Sequence, residues 1–458
     1  MKKVIDKTEA ISVIGLGKLG ACYAAFYASH GYKIFGFDTD AKRRAMLAKG
    51  HATVFEEPKL QDYFKKAKGN FHAARSMKEA VMKSSVSFII VPTPSKKDGL
   101  FSVDAVRAVV KDIGAALKAK KSYHTVVLVS TVLPGDSREL VIPVLEKASG
   151  KKCGVDFGYV YSPSLIAIGD ILSNLEKPDL LFVGAYDSRS ERVLSDIYRH
   201  VYGKGVNVRP MSIESGELAK IALNSYVTTK ISFANTLAAI ADRLPHAHVD
   251  EVTGALGSDR RIGNAYLRAG LGFGGPCFPR DNRAFGAMAK RRGVQAPIPV
   301  ATDAVNDVVT ERMIALILKH AGKKPATVGF LGVSYKPRTT MTEDSQALEI
   351  AKAVQAKGHR LVIHEPIHTG MAEQALGSKH HYASGLEELL EKSHVVFVSN
   401  NDVAFVDLPD LISAESQLHT IVDPWGFYHG RTFPPTVLYV TPGRRGIAGD
   451  LDIKRVEE

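Results

Sequence analysis

The chain has 458 residues, of which 45% are hydrophobic and 24% charged, and its formal net charge is +12. This length exceeds one ordinary core, so two or three domains are expected. No apolar run can span a bilayer, the N-terminus lacks the apolar core of a signal peptide, and three cysteines make no disulfide framework, so we predict a cytoplasmic protein without a membrane partner. The positive charge suits an anionic partner, but no basic motif interleaved with aromatic residues predicts nucleic-acid binding.

A glycine-rich turn follows the first predicted strand. The apolar run 11–14 leads into a Gly-x-Gly-x-x-Gly turn and an alanine-rich helix, and a second apolar run ends on Asp38. In this context the glycines let the backbone close on a pyrophosphate, and the acid bonds the ribose diol. The pattern predicts NAD, although Lys42 and Arg43 keep NADP as an alternative. The residues predicted to contact NAD in this part of the chain are Gly15, Gly17, Leu19, Gly20, Asp38 and Lys42.

Further apolar runs alternate with helical segments and end in turns that carry proline and hydroxyl residues. Strands at such intervals predict crossover connections and a parallel sheet, whose ligands bind at the carboxyl ends of the strands. Pro92, Thr93 and Thr131 lie at these ends and are candidates for contacting cofactor or substrate, with plain turn residues as the alternative.

Residues 212–243 form a long helical pattern rich in Ala, Ile and Leu. Lys220 and Asn224 lie four residues apart and therefore share one face. In a dehydrogenase such a pair supplies a base or proton shuttle beside an oxyanion donor, whereas on an exposed helix it would have no function. The length and apolarity of the pattern also predict that it bridges two domains and forms a homodimer interface.

A loop of glycines and prolines, residues 271–281, surrounds Cys277 and precedes a predicted helix. A cysteine just ahead of a helix N-terminus lies in a field that favours the thiolate, which is the nucleophilic form. The alternative is a small buried cysteine in a tight turn. Asp281 follows four residues later and favours the first interpretation.

The α/β alternation restarts after residue 325, with predicted strands at 327–332, 360–364, 395–399 and 420–423. The predicted fold is therefore α/β, with two doubly wound Rossmann-like sheets joined by a central helical segment that contains a long helix. The predicted boundaries are 1–208, 209–320 and 321–458.

Along nearly its whole length the chain resembles the UDP-glucose/GDP-mannose dehydrogenase family, whose members oxidise carbon 6 of a nucleotide sugar to a carboxylate with two NAD⁺. The resemblance rests on the glycine turn with Asp38, the turns after residues 91 and 129, the Lys220–Asn224 pair, the segment 259–263, the cysteine loop and the segment 332–337. It implies an NAD-binding first domain, a central segment for catalysis and dimerisation, and a C-terminal domain that binds a UDP- or GDP-linked sugar.

The resemblance also implies roles for single residues. Cys277 is the nucleophile, Lys220, Asn224 and Asp281 surround it, and Thr131 positions a water or the cofactor. The substrate-binding residues that it implies are Ser164, Leu165, Lys220, Asn224, Arg261 from a neighbouring subunit, Phe273, Gly274, Phe278 and Lys336. No metal is expected. These residue types permit a thiohemiacetal and then a thioester on the cysteine before water releases the acid.

Three segments depart from the family pattern. Ser164 and Ile168 stand where the family has glutamates for substrate contact and thioester hydrolysis, and loss of a positioned base costs about 10²- to 10⁴-fold. Asp281 or Asp170 is a possible substitute. Glu343 stands where an arginine is expected, which favours an altered nucleotide or sugar, and Arg280 replaces a lysine.

Three alternatives follow from these departures and from the shared motifs. The aldehyde or thioester is diverted to another product, or the chain is a weakly catalytic protein that binds NAD and a nucleotide sugar. A β-hydroxyacid dehydrogenase shares the NAD sheet and the Lys-x-x-x-Asn pair, but it has no use for Cys277 or for a third domain.

Overall fold

The computed structural model describes residues 10–51, 53, 57, 59–67, 69–166, 171–413 and 415–444. The chain divides into two units, Met1–Leu223 and Asn224–Glu458. No helix within these described ranges is long and apolar enough to cross a membrane. The predicted three-part boundaries stay a prediction.

The first unit contains a sheet in the order β3-β2-β1-β4-β5-β6-β7-β8, parallel except where β6 meets β7. Both faces are covered by helices, so β1, β4, β5 and β6 are buried along their whole length, as expected for parallel strands. The strands are β1 (Ile11–Ile14), β2 (Ile34–Phe37), β3 (Phe71–Ala73), β4 (Val86–Ile89), β5 (Thr125–Leu128), β6 (Gly158–Tyr161), β7 (Leu181–Ala185) and β8 (Val208–Met211). The helices are α1 (Lys18–Ser29), α2 (Ala41–Ala48), α3 (Leu60–Lys66), α4 (Met77–Met82), α5 (Asp104–Ala119), α6 (Ile142–Ser149) after a π-helical turn at Ser137–Val141, α7 (Ile171–Glu176) and α8 (Ser188–Tyr202).

The long helix α9 (Ile213–Ala241) carries the chain from the first unit into the second. The second unit contains a parallel sheet in the order β11-β10-β9-β12-β13-β14. Its strands are β9 (Thr327–Leu331), β10 (Arg360–His364), β11 (His381–Tyr382), β12 (Val395–Phe397), β13 (Thr420–Val422) and β14 (Leu438–Val440). Its helices are α10 (Val249–Ser258), α11 (Phe278–Arg291), α12 (Pro297–Ala321), α13 (Gln346–Ala356), α14 (Gly370–Leu376) and α15 (Leu386–Lys392), with short 3-10 turns at Val403–Phe405 and Leu408–Leu411.

The predicted fold class is confirmed, because both doubly wound sheets and the long helix are present. The strands β3, β7, β8, β11 and β14 were not predicted. Each has only two to five residues and lies at or next to an edge of its sheet, so its pattern is too short to be recognised.

A buried polar network closes the amino ends of the central strands in the first sheet. The ammonium of Lys120 donates to the carbonyl of Val81 (2.6 Å) and lies 3.1 Å from Nδ1 of His124. Nε2 of His124 lies 2.8 Å from the hydroxyl of Ser87, which bonds that of Ser12 at 2.6 Å. Burial, and then the charge of Lys120, lower the pKa of His124 to about 3, so its imidazole is neutral in the folded chain.

This network predicts acid sensitivity. Because the folded pKa of His124 lies below the unfolded value, the unfolded chain binds the proton first and stability is lost as the pH falls below about 6.5. From pH ~7.5 to ~5.5 this histidine should lower the free energy of unfolding by about 1.4 kcal/mol. Urea unfolding should show a correspondingly smaller loss in His124→Gln, and an unchanged loss in the exposed control His51→Gln. Equal losses in wild type and His124→Gln would contradict this.

Candidate active site

The glycine turn after β1 is shaped by close backbone contacts. Gly15 has a φ of 91°, and a Cβ there would lie 2.2 Å from the carbonyl oxygen of Ile90. A Cβ at Gly20 would lie 1.8 Å from the carbonyl oxygen of Gly15. Gly17 caps the N-terminus of α1, and no protein atom lies within 4 Å of the Cβ position there. The turn therefore leaves open space at the start of α1, where N–H groups can meet a pyrophosphate.

Asp38 is held rigidly at the end of β2. Its carboxylate accepts from the backbone N–H of Leu16 (2.7 Å) and of Asp40 (2.9 Å), and Nη1 of Arg43 lies 3.2 Å from both oxygens. The bond to Leu16 ties this acid to the glycine turn, which is the arrangement that a ribose diol next to a pyrophosphate requires. These residues fit NAD.

The carboxyl ends of β4 and β5 are joined by hydroxyl groups. Thr93 donates to the carbonyl of Thr131 at 2.7 Å. Ser130 accepts from the N–H of Val91 (2.9 Å) and donates to its carbonyl (2.7 Å). Thr131 is half-buried, whereas Pro92 and Lys42 are exposed. The structure thus brings Thr93 and Thr131 together.

The segment after β6 is described only in part. Ser164 and Leu165 are half-buried, and the hydroxyl of Ser164 accepts from the N–H of Ile166 at 3.4 Å. Ile168 and Asp170 lie outside the described residues.

In the second unit a fully buried carboxylate organises the residues around Cys277. Asp281 is 0% exposed and accepts from the side-chain amide of Asn224 at 2.7 Å. Nε and Nη2 of Arg280 donate to its other oxygen at 2.9 and 2.7 Å. The backbone N–H of Asp281 donates to the carbonyl of Cys277 at 2.8 Å, which begins α11. Asn224, Cys277 and Asp281 are therefore held together.

Cys277 differs from the other two cysteines. It is half-buried and caps the N-terminus of α11, whereas Cys22 and Cys153 are buried and burial raises their pKa values, that of Cys153 to about 12. Burial alone would lower the pKa of Arg280, but the negative charges of Asp281, Cys277 and Glu343 raise it. A position at a helix N-terminus and an interaction with an arginine, here Arg280, are two features that favour a thiolate.

Hydrogen bonds and close packing hold the loop before Cys277 in place. The side chain of Asn306 accepts from the N–H of Phe273 (2.8 Å) and donates to its carbonyl (3.0 Å). A Cβ at Gly274 would lie 2.4 Å from the carbonyl of Asp344, and one at Gly275 would lie 2.4 Å from the ring of Tyr335. Sequence reasoning missed Asn306, because nothing in its local pattern links it to a loop 33 residues away.

The other predicted substrate residues are more dispersed. Lys220 is buried on α9, and Phe278 stacks edge-on with Tyr266 at 5.9 Å. Arg261 is exposed and pairs with Asp259 at 2.6 Å. Lys336 is half-buried, with Nζ 6.0 Å from the ring centre of Tyr335. Among the described residues no group of three or more His, Cys, Asp or Glu side chains could hold a metal ion.

The fold and the glycine turn define a nicotinamide-dinucleotide oxidoreductase. Three family models match the chain: the NAD binding domain of the UDP-glucose/GDP-mannose dehydrogenase family at residues 9–202, its central domain at 214–308 and its UDP binding domain at 329–429. The chain belongs to this family and is an NAD-dependent nucleotide-sugar 6-dehydrogenase.

Relatives of known name cover most of the chain. GDP-mannose 6-dehydrogenase of Pseudomonas aeruginosa is 31% identical over 90% of this chain and 96% of its own length. A UDP-glucose 6-dehydrogenase of Haloferax volcanii is 30% identical over 88% and 94%, respectively. The solved structure of a UDP-glucose dehydrogenase from Pyrobaculum islandicum superposes with a TM-score of 0.82, at 30% identity, over 95% of this chain and 94% of that one.

The glycine turn predicts two different effects of one methyl group. In Gly17→Ala the added methyl contacts no protein atom and occupies the space for the pyrophosphate, so KM for NAD should rise about tenfold or more with an unchanged Tm. In Gly20→Ala it meets the backbone of Gly15, so stability should fall by about 2 kcal/mol or more. Steady-state kinetics and thermal melts test this pair. A Gly17→Ala variant with wild-type KM for NAD would contradict the placement of the cofactor.

Proposed function

We propose that the chain oxidises carbon 6 of a UDP- or GDP-linked sugar to the carboxylate, with Cys277 holding the sugar between the two oxidations. The observation that carries this proposal is the buried Asp281, which accepts from Asn224 and Arg280 beside the helix start at Cys277. The named relatives act on GDP-mannose and UDP-glucose, which supports a sugar linked to one of these nucleotides.

Bound NAD⁺ supplies the hydride acceptor for both oxidations. In the first, Lys220 accepts the proton of the sugar hydroxyl, directly or through a water, as the carbon loses its hydride. Lys220 is buried on α9, one turn before Asn224. Burial of the side chain on this helix restricts the amine, and a restricted amine favours proton transfer.

The resulting aldehyde is captured by the thiolate of Cys277. A C–S bond forms, and the carbonyl oxygen becomes an oxyanion that Lys220 and Asn224 stabilise. One N–H of the Asn224 amide donates to Asp281, which orients the second N–H towards the oxyanion. Loss of the second hydride gives a thioester, and attack by water breaks the C–S bond to release the acid and the thiol.

Thioester hydrolysis is the slow step of this scheme. Ser164 and Ile168 replace the glutamates that the family uses, and a serine hydroxyl does not act as a base at neutral pH. Asp281 is fully buried and already accepts from Asn224 and Arg280, which favours an orienting role for it over that of a hydrolytic base. Slow hydrolysis also supports the alternative in which the aldehyde or thioester is diverted to another product.

The nucleotide site of the C-terminal domain is also altered. Glu343 is exposed, stands where the family has an arginine, and contributes to raising the pKa of Arg280. A carboxylate repels a phosphate that an arginine would attract, so Glu343 favours a nucleotide sugar held differently, with Lys336 and Arg338 as the cations of this segment.

We also propose a homodimer through α9. Three large apolar side chains repeat every seven residues on this helix: Tyr226, Phe233 and Ile240 are 60%, 50% and 51% exposed. This spacing places them on one helical face, and a contiguous exposed apolar stripe marks an interface. A second copy of the chain would bury the same stripe against itself.

If the chain dimerises through α9, a charge introduced into the apolar stripe should separate the two copies. Phe233→Glu places a carboxylate in the stripe, so the mass measured by light scattering after gel filtration should fall from dimer to monomer. Val155→Glu is the matched control, because Val155 is 73% exposed and lies far from α9 in sequence. A dimeric Phe233→Glu variant, or a monomeric wild type, would contradict this interface.

The role of Cys277 predicts the stoichiometry of turnover. Screening UDP- and GDP-sugars for NADH formation identifies the substrate, and the wild type should then form two NADH per sugar. Cys277→Ala should slow formation of the second NADH by about 10³-fold or more, since the aldehyde is no longer captured. Cys153→Ala, which removes a buried thiol, should retain two. Two NADH per sugar at the wild-type rate in Cys277→Ala would refute the thiol mechanism.

A further inference from the structure

A second buried carboxylate lies on α9, one turn before Lys220. Glu217 is 0% exposed, and its two oxygens accept from the backbone N–H groups of Gly135 (2.7 Å) and Ser137 (2.9 Å). These donors lie in the turn that follows Thr131 and leads into the π-helical turn Ser137–Val141. At such a helix start the N–H groups have no partner within the helix, so the carboxylate satisfies them.

The surroundings of Glu217 are polar and closely bonded. The hydroxyl of Ser137 bonds that of Tyr159 on β6 at 2.8 Å, and the carboxylate of Asp136 accepts from the N–H of Leu133 at 3.0 Å. Asp136 of the turn is the charged group that acts on the pKa of Glu217, and the neighbouring charged residues along the two segments are Arg138, which pairs with Glu214, and Lys220 on α9. Tyr159 is the titratable group that faces it from the sheet.

We propose that Glu217 is a positioning residue for the dehydrogenase reaction, which fixes the turn carrying Thr131 to the helix carrying Lys220. This inference rests on the roles proposed above for those two residues. The ionised carboxylate accepts two N–H bonds, one at each oxygen. A protonated or amidated side chain presents a donor to one of these N–H groups, so one bond is lost and the turn is released from α9.

The link should be sensitive to pH. Burial is the largest cause that raises the pKa of Glu217, to about 7; the bonds from Ser137 and Gly135 oppose it, and the charge of Asp136 adds to it. The raised pKa means that the two-bond state is complete above about pH 7 and is lost as the pH falls through that value. The wild-type kcat should therefore fall on the acid side with an apparent pKa near this value.

Glu217→Gln tests the proposal because it preserves size and removes the charge. A misplaced reacting group slows a reaction by about 10- to 100-fold, so we expect kcat to fall by that factor with KM for the sugar nearly unchanged. The decrease of kcat at acid pH should disappear in this variant. Glu217→Asp keeps the charge and should keep that decrease. Glu251→Gln changes an exposed carboxylate on α10 that is not part of this link, so it is the matched control and should show the wild-type profile.

Hydrogen exchange of the peptide spanning residues 131–137 gives a readout that needs no turnover. Its exchange should be faster in Glu217→Gln than in wild type or Glu251→Gln. Unchanged exchange, or faster exchange with a wild-type kcat and pH profile, would overturn the positioning role and leave the proposed function intact. A wild type that oxidises no nucleotide sugar would overturn both the proposed function and this role. That conclusion would hold even if hydrogen exchange showed that Glu217 holds the turn.

Discussion

The hydrogen-bonded carboxylate of Asp281 is the interaction on which the arrangement of the second unit depends. A buried carboxylate is costly unless each oxygen has a partner, and here Asn224 bonds one oxygen and Arg280 the other. The same residue closes the first turn of α11 onto Cys277. One charge thus fixes the amide of Asn224 that we propose for the oxyanion, the guanidinium of Arg280, and the helix start at Cys277. Replacing it would disturb all three together.

The first unit uses its polar groups in the same way. Both oxygens of Asp38 accept hydrogen bonds from the backbone and from Arg43. Thr93 and Ser130 join the ends of β4 and β5. Glu217 on α9 accepts from the turn that follows β5. The hydrolytic base that we propose to be missing at Ser164 would slow one step and leave the residues proposed for the oxidations in place, since hydrolysis needs a separate base.

The sequence predicted the fold class, the glycine turn and the position of Cys277 at a helix start, because each is encoded by neighbouring residues. It did not predict the short strands β3, β7 and β14, which are three to five residues long and give too short a pattern to be recognised. It also missed the partners of the buried carboxylates. Asn224 and Asp281 are 57 residues apart, and Gly135 and Glu217 are 82 apart, so only the folded backbone pairs them.

We propose that a sugar is bound covalently to the sulfur of Cys277 during turnover, and that its hydrolysis is slow enough for this state to be observed. The most direct measurement is peptide mass spectrometry of the enzyme quenched in acid while it oxidises its nucleotide sugar with NAD⁺. If the thioester forms at Cys277, the peptide containing Cys277 gains the mass of the oxidised nucleotide sugar, and the peptides containing Cys22 and Cys153 do not. An unmodified Cys277 throughout turnover, with acid and NADH still forming, would contradict it.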